Sequence, residues 1–286
     1  MPSMQQYNAS HVRQSPNLRQ ALRDSQETGK NLFGAVVGFP SVDVAKVVAA
    51  TETDWIMLDL EHTPMAPNLM VDMLTAMRAS GRGRSISVVR IPGHADTHHS
   101  WATWALDAGA SGIVTPHTET ADQVRALIKA IKFPPMGTRG YPPFAFLPID
   151  GQTADTNGKT WYETANEHIA VIPQIESAEG MSNAEEIMQI PGVDCIMIGA
   201  YDLMLDVGSS EKAAELIKGV EALAKKYNMP LLSFAFDTAS VIDRVEKGYR
   251  MIIVSSDVYS ITAATNKMLE DVRKAEEEYL QGKATS

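Results

Sequence analysis

The chain has 286 residues, 44% apolar and 21% charged, enough to build a full hydrophobic core. Its 35 acidic and 25 basic residues give a formal charge of −10 with no long basic run, which excludes nucleic acid as an expected partner. No apolar run is long enough to span a membrane, the polar N-terminus lacks a signal-peptide core, and the one cysteine, Cys195, cannot close an intramolecular disulfide, so a reducing cytoplasmic setting is expected.

Residues 1–16 are expected to be a flexible arm, and 17–286 one catalytic domain. Residues 17–30 read as an amphipathic helix, with Leu18, Ala21 and Leu22 at helical spacing and Gly29 as its stop. Strands and helices then alternate. Strand 32–38 leads to helix 42–50, strand 55–59 to helix 68–79, strand 86–91 to helix 98–108, and strand 111–115 to helix 120–131. Residues 133–168, rich in Pro, Gly and aromatics, break the rhythm around a short helix at 161–167, and are expected as an extended rim loop. The alternation resumes with strand 169–175 and helix 183–188, strand 193–198 and helix 211–227, strand 230–236 and helix 239–247, and strand 251–255 with a long last helix at 260–280. Repeated βα units force a parallel sheet with right-handed crossovers, and eight of them in this length predict an α/β fold, a single (β/α)₈ TIM barrel. No glycine-rich fingerprint follows the first strand, which argues against a dinucleotide-binding sheet. Thr53-Asp-Trp, Asp107-Ala-Gly-Ala and Pro191-Gly-Val-Asp read as helix-to-strand turns at the barrel bottom.

Active sites in this fold collect at the C-terminal strand ends. Those ends carry Asp59-Leu-Glu-His62, Arg90, Pro116-His117, Gln174 with Glu176, Asp202 and Ser233. Period-two alternation turns Gln174 and Glu176 to one face. Glu176 and Asp202 suit a hard divalent cation, and equally suit helix caps or rim ion pairs. Arg90 can fork onto a substrate carboxylate, or form an internal salt bridge to Asp59 or Glu61. His62 fits a general base, a metal ligand or a structural histidine. His94, His98 and His99 read as a solvated helix start, and His117 as a residue able to face the site. Cys195 reads as a buried structural thiol. Since no lysine ends a strand, a Schiff base has no evident nucleophile. Metal, arginine, base and glutamine together suit a 2-oxo acid that passes through an enolate.

Six stretches carry a wider likeness: Asp54-Trp-Ile-Met-Leu-Asp-Leu-Glu-His62, Val89-Arg-Ile-Pro92, Leu106-Asp-Ala-Gly-Ala-Ser-Gly-Ile-Val-Thr-Pro116, Phe133-Pro-Pro-Met-Gly-Thr-Arg-Gly140, Gln174-Ile-Glu176, and Gly192-Val-Asp through Ile198-Gly-Ala-Tyr-Asp-Leu203. In this order they resemble the HpcH/HpaI family of metal-dependent pyruvate aldolases. The Pro116-His117-Thr-Glu-Thr and Pro173-Gln-Ile-Glu-Ser runs and the enlarged 141–168 segment resemble its macrophomate synthase branch. The resemblance implies a divalent metal (Mg²⁺, with Mn²⁺ or Co²⁺ as alternatives) and reversible cleavage of 4-hydroxy-2-oxo acids to pyruvate and an aldehyde. It also implies oxaloacetate decarboxylation as a second activity. Glu176 and Asp202 are then the metal ligands, His62 the base, and Arg90 the group that stabilises the developing enolate. Gln174 and Tyr201 match substrate contacts. Asp107 matches a carboxylate that raises the basicity of the histidine, although its own sequence context places it in a barrel-bottom turn. The family's Gly-Pro-small-Asp before the second ligand is Gly199-Ala-Tyr-Asp202 here, so Tyr201 narrows the pocket or adds a hydroxyl.

A dimer-based homo-oligomer, up to a hexamer, with an exchanged last helix is implied as well. Ile261, Ala264, Met268 and Leu269 form an apolar stripe able to dock on a neighbour or on the parent barrel. The Gly137-Thr-Arg-Gly140 turn, with Tyr141 and Phe144, reads as a lid or an oligomer contact. A barrel that binds 2-oxo acids without turnover is the alternative from another class.

Overall fold

The computed structural model describes residues 4–8, 14–94, 97–141 and 158–284. Eight strands close into one parallel barrel in sequence order: β1 (Leu32–Val37), β2 (Trp55–Asp59), β3 (Ile86–Arg90), β4 (Gly112–Thr115), β5 (Ala170–Ile175), β6 (Ile196–Ile198), β7 (Leu231–Phe234) and β8 (Met251–Ser256). The last strand pairs back onto the first. These strands are short aliphatic runs buried on both faces, as parallel strands sheathed by helices must be.

One set of side chains fills the barrel interior, among them Met57, Val88, Val114, Ile172, Met197, Leu232 and Ile253. The alternate set, including Ile56, Leu58, Val89, Ile113 and Val171, packs outward against Met70, Met73, Leu127 and Ile187 of the surrounding helices. The helix Leu18–Thr28 plugs the bottom, where Leu18 and Leu22 join the interior cluster with Trp55 and Ile86. Trp55 donates its indole N–H to Leu32 O at 3.0 Å and lies against Gly34, where a Cβ would come within 2.3 Å of the ring.

Three expectations need correction. The described part of residues 1–16 is packed, not a free arm. Met4 is buried, Tyr7 Oη donates to Asp24 at 2.6 Å, and Ser15 Oγ donates to Ala110 O at 2.6 Å. The described ends of the segment 133–168 lie at the bottom of the barrel, not the rim, because the helix Ala121–Ile131 carries the chain back down before it; residues 142–157 fall outside the described residues. There the Phe133 N–H donates to Asn166 Oδ1 at 2.8 Å, and Lys132 Nζ donates to Asn166 O and Ile169 O. Arg139 of the supposed lid turn is buried in this bottom layer, while Phe144 falls outside the described residues. The third correction concerns the last helix. It spans Asp257–Ala284, longer than predicted, and does not bury its stripe on its own barrel: Ile261, Met268, Leu269 and Val272 are exposed. Among the described residues no helix is long and apolar enough to cross a membrane.

Candidate active site

Arg90 closes β3 directly opposite Asp59, the last residue of β2. The shared register turns both side chains to one face, and Arg90 Nε and Nη2 meet Asp59 Oδ1 and Oδ2 at 2.9 and 2.7 Å. The fork is buried. Of the two partners the sequence left open, Arg90 has taken the internal carboxylates, because Glu61 Oε2 also lies 3.1 Å from its Nη1. The same Nη1 donates to Gln174 Oε1 at 3.4 Å. Gln174 in turn donates through Nε2 to Glu176 Oε2. Glu176 Oε1 accepts the backbone N–H of His117 at 2.7 Å, which is aimed there by a left-handed backbone at His117, φ 48°. An unbroken polar line therefore crosses the mouth from β2 to β5, as Asp59, Arg90, Gln174, Glu176 and the His117 amide.

Two further carboxylates face this line. Burial raises the Glu61 carboxyl above the usual range; Arg90 opposes the rise, and the charges of Asp59 and Asp202 add to it. Burial likewise raises Glu176, against its hydrogen bonds from Gln174 and His117 and with the charges of Glu61 and Asp202. Burial pulls Arg90 down, but Asp59, Glu61 and Glu176 outweigh it and leave the guanidinium firmly charged. Glu61 Oε2 is buried and held by its ion pair with Arg90 Nη1, without an aligned hydrogen bond.

Negative charge thus exceeds what one guanidinium offsets, in a setting that disfavours it. That donor set fits a hard divalent cation. Gly199 supports the fit, since a Cβ there would fall 2.2 Å from Glu176 Oε2, so the glycine keeps that space for the carboxylate. Among the described residues no three His, Cys, Asp or Glu side chains are gathered to hold a metal by themselves.

Asp202 is not at a strand end. It lies in the first turn of the helix Ala200–Val207 that follows β6, and it is exposed. Tyr201 beside it is 76% exposed. The side chain of His62 is 65% exposed, with Nε2 3.5 Å from Glu61 Oε2. Asp107 is a correction: it does not reach this site within the chain. It is the last residue of the helix His99–Asp107, which runs from the rim to the bottom, and its Oδ1 pairs there with Arg139. Burial raises the Asp107 carboxyl, opposed by Arg139. Cys195 is fully buried, which pushes its thiol up and removes it as a nucleophile.

Two site residues escaped the sequence reading in these roles. Glu61 was weighed only as a partner for Arg90, although its i, i+2 spacing from Asp59 was the available signal. His94 approaches His117, ring centroids 4.5 Å apart, and no local pattern announced this. Beside Arg90, Asp59 and His62 opens a cavity of about 450 Å³.

The sequence profile described as HpcH/HpaI aldolase/citrate lyase matches residues 37–264. The chain belongs to this family. A hydroxypyruvate/pyruvate aldolase of Paraburkholderia phytofirmans is 31% identical over 257 residues, covering 85% of this chain and 93% of that protein. A 4-hydroxy-2-oxo-heptane-1,7-dioate aldolase of Salmonella arizonae is 29% identical over 238 residues, covering 73% and 84%. The crystal structure of macrophomate synthase superposes with a TM-score of 0.89 at 31% identity, covering 96% of this chain and 94% of that one. Family membership makes the chain an enzyme of the aldolase and lyase type built on a TIM barrel.

Proposed function

We propose that the chain is a divalent-metal-dependent carbon–carbon lyase that cleaves or forms 4-hydroxy-2-oxo acids through a pyruvate enolate. The observation that carries this reading is the polar line from Asp59 through Arg90 and Gln174 to Glu176, with Glu61 and Asp202 sharing its field. Glu176 and Asp202 would hold Mg²⁺, or Mn²⁺ or Co²⁺ in its place. When bound, the cation supplies positive charge against the carboxylate and ketone oxygens of the oxo acid.

The chain's own residues do the rest. Asp59 keeps the guanidinium of Arg90 in one orientation, and Arg90 Nη1 points toward the ketone oxygen where negative charge grows. Gln174 ties Arg90 to Glu176, and Tyr201 stands at the substrate's entrance. His62, exposed at the mouth, takes the proton from the C4 hydroxyl as the C3–C4 bond breaks. The aldehyde leaves, the electron pair stays on the three-carbon fragment, and a proton returned to C3 gives pyruvate.

Assaying pyruvate release from 4-hydroxy-2-oxo acids, with and without chelator, tests the reading. Glu176→Gln is expected to lower turnover by roughly 100-fold or more. Metal-independent turnover at the wild-type rate overturns it. The likeness to macrophomate synthase favours a second reading, oxaloacetate decarboxylation with coupling of the enolate to an acceptor, and oxaloacetate in the same assay separates the two. Tight oxalate binding without turnover on either substrate marks a barrel that only binds oxo acids. Asp107 is assigned no part within its own chain. A cytoplasmic, dimer-based homo-oligomer is the setting we propose.

A further inference from the structure

We propose that the co-substrate carries an uncharged apolar group, aromatic in the best case, and that the cavity beside Arg90 is its pocket; this rests on the lyase reading of the same site. The cavity of about 450 Å³ has a usual size for a small-molecule site. Its residues come from β1, β2, β3, β7 and β8 and the loops that follow them. Glu176 belongs to the end of β5, and Asp202 follows β6. A three-carbon fragment held between Arg90 and those carboxylates therefore presents its other side to the cavity, and His62 lies on that side.

The lining of the cavity joins two chemistries, the polar Asp59, His62 and Arg90 and the apolar Phe39, Phe236 and Val258. The Phe236 ring lies 5.7 Å from that of Phe234 and 5.1 Å from that of Tyr259. Phe39 and Phe236 remain 38% and 43% exposed, so large rings stand open at the mouth of a polar site instead of in the core. Their continuity with the catalytic groups argues that a substrate covers them.

Charge decides what kind of group that is. Arg90 is the only lysine or arginine among the described residues that line the cavity, and it is already shared by Asp59, Glu61 and Gln174. Beneath Phe39 the buried Asp257 carboxylate accepts the N–H groups of Gly38 and Phe39, at 2.9 and 2.8 Å. A carboxylate, phosphate or sulfonate beside Phe39 would meet the Asp257 carboxylate and no free cation among the described lining residues. A polyhydroxylated chain finds few partners: Thr63 Oγ1 already donates to Gly38 O at 2.8 Å, and Ser256 Oγ already accepts the Tyr259 N–H, each hydroxyl keeping only part of its hydrogen-bonding capacity. A flat apolar group meets complementary rings.

The test uses the full chain and three readouts. Deuterium uptake at C3 of pyruvate in D₂O with Mg²⁺ reads enolate formation without any acceptor. The ratio of kcat/KM for benzaldehyde over succinic semialdehyde, each with pyruvate, reads acceptor class. Ligand-observed NMR with unreactive benzyl alcohol reads the pocket without metal or turnover. The wild type is expected to favour benzaldehyde by roughly tenfold or more, and Phe236→Ala to weaken benzyl alcohol binding by a similar factor. Phe236→Lys is expected to move the ratio toward succinic semialdehyde. Phe39→Ala, from a different loop, repeats the measurement if Phe236→Ala folds poorly. A wild-type preference for succinic semialdehyde overturns the proposal, as does absence of benzyl alcohol binding. A Phe236→Ala protein with altered sedimentation and an unchanged ratio overturns it too, by placing the rings between copies of the chain. If benzyl alcohol binds in a Phe236-dependent way while pyruvate takes up no deuterium, the pocket stands and the lyase reading fails.

Discussion

Arg90 and Asp59 hold each other in a bidentate fork at 2.9 and 2.7 Å across adjacent strands, with both side chains buried. The fork leaves only Nη1 of the guanidinium turned toward Gln174 and the site. Removing one partner of a buried pair strands the other's charge, so Asp59→Ala is expected to cost about 3–5 kcal/mol in urea unfolding. Arg90→Lys keeps the charge and loses the fork, and should cost less stability but lower turnover by roughly 100-fold. The double substitution Asp59→Leu with Arg90→Met is expected to regain much of the stability and none of the activity. Full turnover in Arg90→Lys would show that the orientation set by Asp59 is irrelevant to the chemistry.

Gly199 and Glu176 make a second case. The backbone at Gly199, φ −89°, is open to any residue, so only the space for Glu176 forbids a side chain. Gly199→Ala should leave the circular dichroism spectrum intact and weaken Mg²⁺ binding by about 10–100-fold. Burial and neighbouring acids keep protons on Glu61 and Glu176 above the usual carboxylate range when no cation is present. Binding must release those protons, so affinity rises with pH. The rise in Tm produced by Mg²⁺ is expected to be larger at pH 8 than at pH 5.5, and EDTA should abolish it at both. An equal shift at the two pH values would place the cation elsewhere.

All eight strands were legible because a parallel strand covered on both faces must be a continuous apolar run, and each such run stands out between polar helix faces. Arg90, Gln174 and Glu176 followed from the rule that strand ends carry the chemistry. The helix holding Asp202 was not legible, since Gly199 offers no side-chain cap to announce it. Residues 133–168 were assigned to the rim from their composition. Composition has no direction; the preceding helix, which returns the chain to the bottom, fixes where the described ends of the segment lie. Asp107 shows the same logic in reverse, because its turn, with Gly109 at φ 98°, placed it at the bottom correctly while the family likeness drew it toward the site. The packing of Tyr7 and Ser15 depends on hydrogen bonds to Asp24 and Ala110 that no local pattern encodes.

Lys132 offers a test of the bottom layer that is independent of catalysis. Its ammonium group is buried, donating to Asn166 O at 2.8 Å and Ile169 O at 2.6 Å. Burial pushes its pKa down to about 7; Asp194 opposes the shift, and Arg19 and Arg139 add to it. Between that value and the ordinary lysine value of 10.5 the unfolded chain holds more protons than the folded one. Stability should therefore rise with pH through this window, be fullest above it, and be lost as pH falls toward 7. The difference in unfolding free energy between the wild type and Lys132→Met should grow between pH 7 and 9.5, by on the order of 3 kcal/mol. A difference that is flat or shrinks over that range would mean that the amine folds in its charged form.

The last helix poses the question of assembly. Its 28 residues extend about 42 Å, far beyond the contact of its first turn with the barrel. Ile261, Met268, Leu269 and Val272 repeat at helical spacing along it, and all are exposed, at 55%, 64%, 42% and 50%. An apolar stripe of this length on a projecting helix needs a surface to cover it. A second copy of the chain, offering the same stripe, satisfies that need symmetrically. The full chain is therefore expected to sediment as a dimer or a multiple of it, and Met268→Lys with Leu269→Asp as a monomer. Monomeric sedimentation of the unaltered chain at micromolar concentration would assign the stripe another partner. Retention of the oligomer in the double variant would move the interface off this helix.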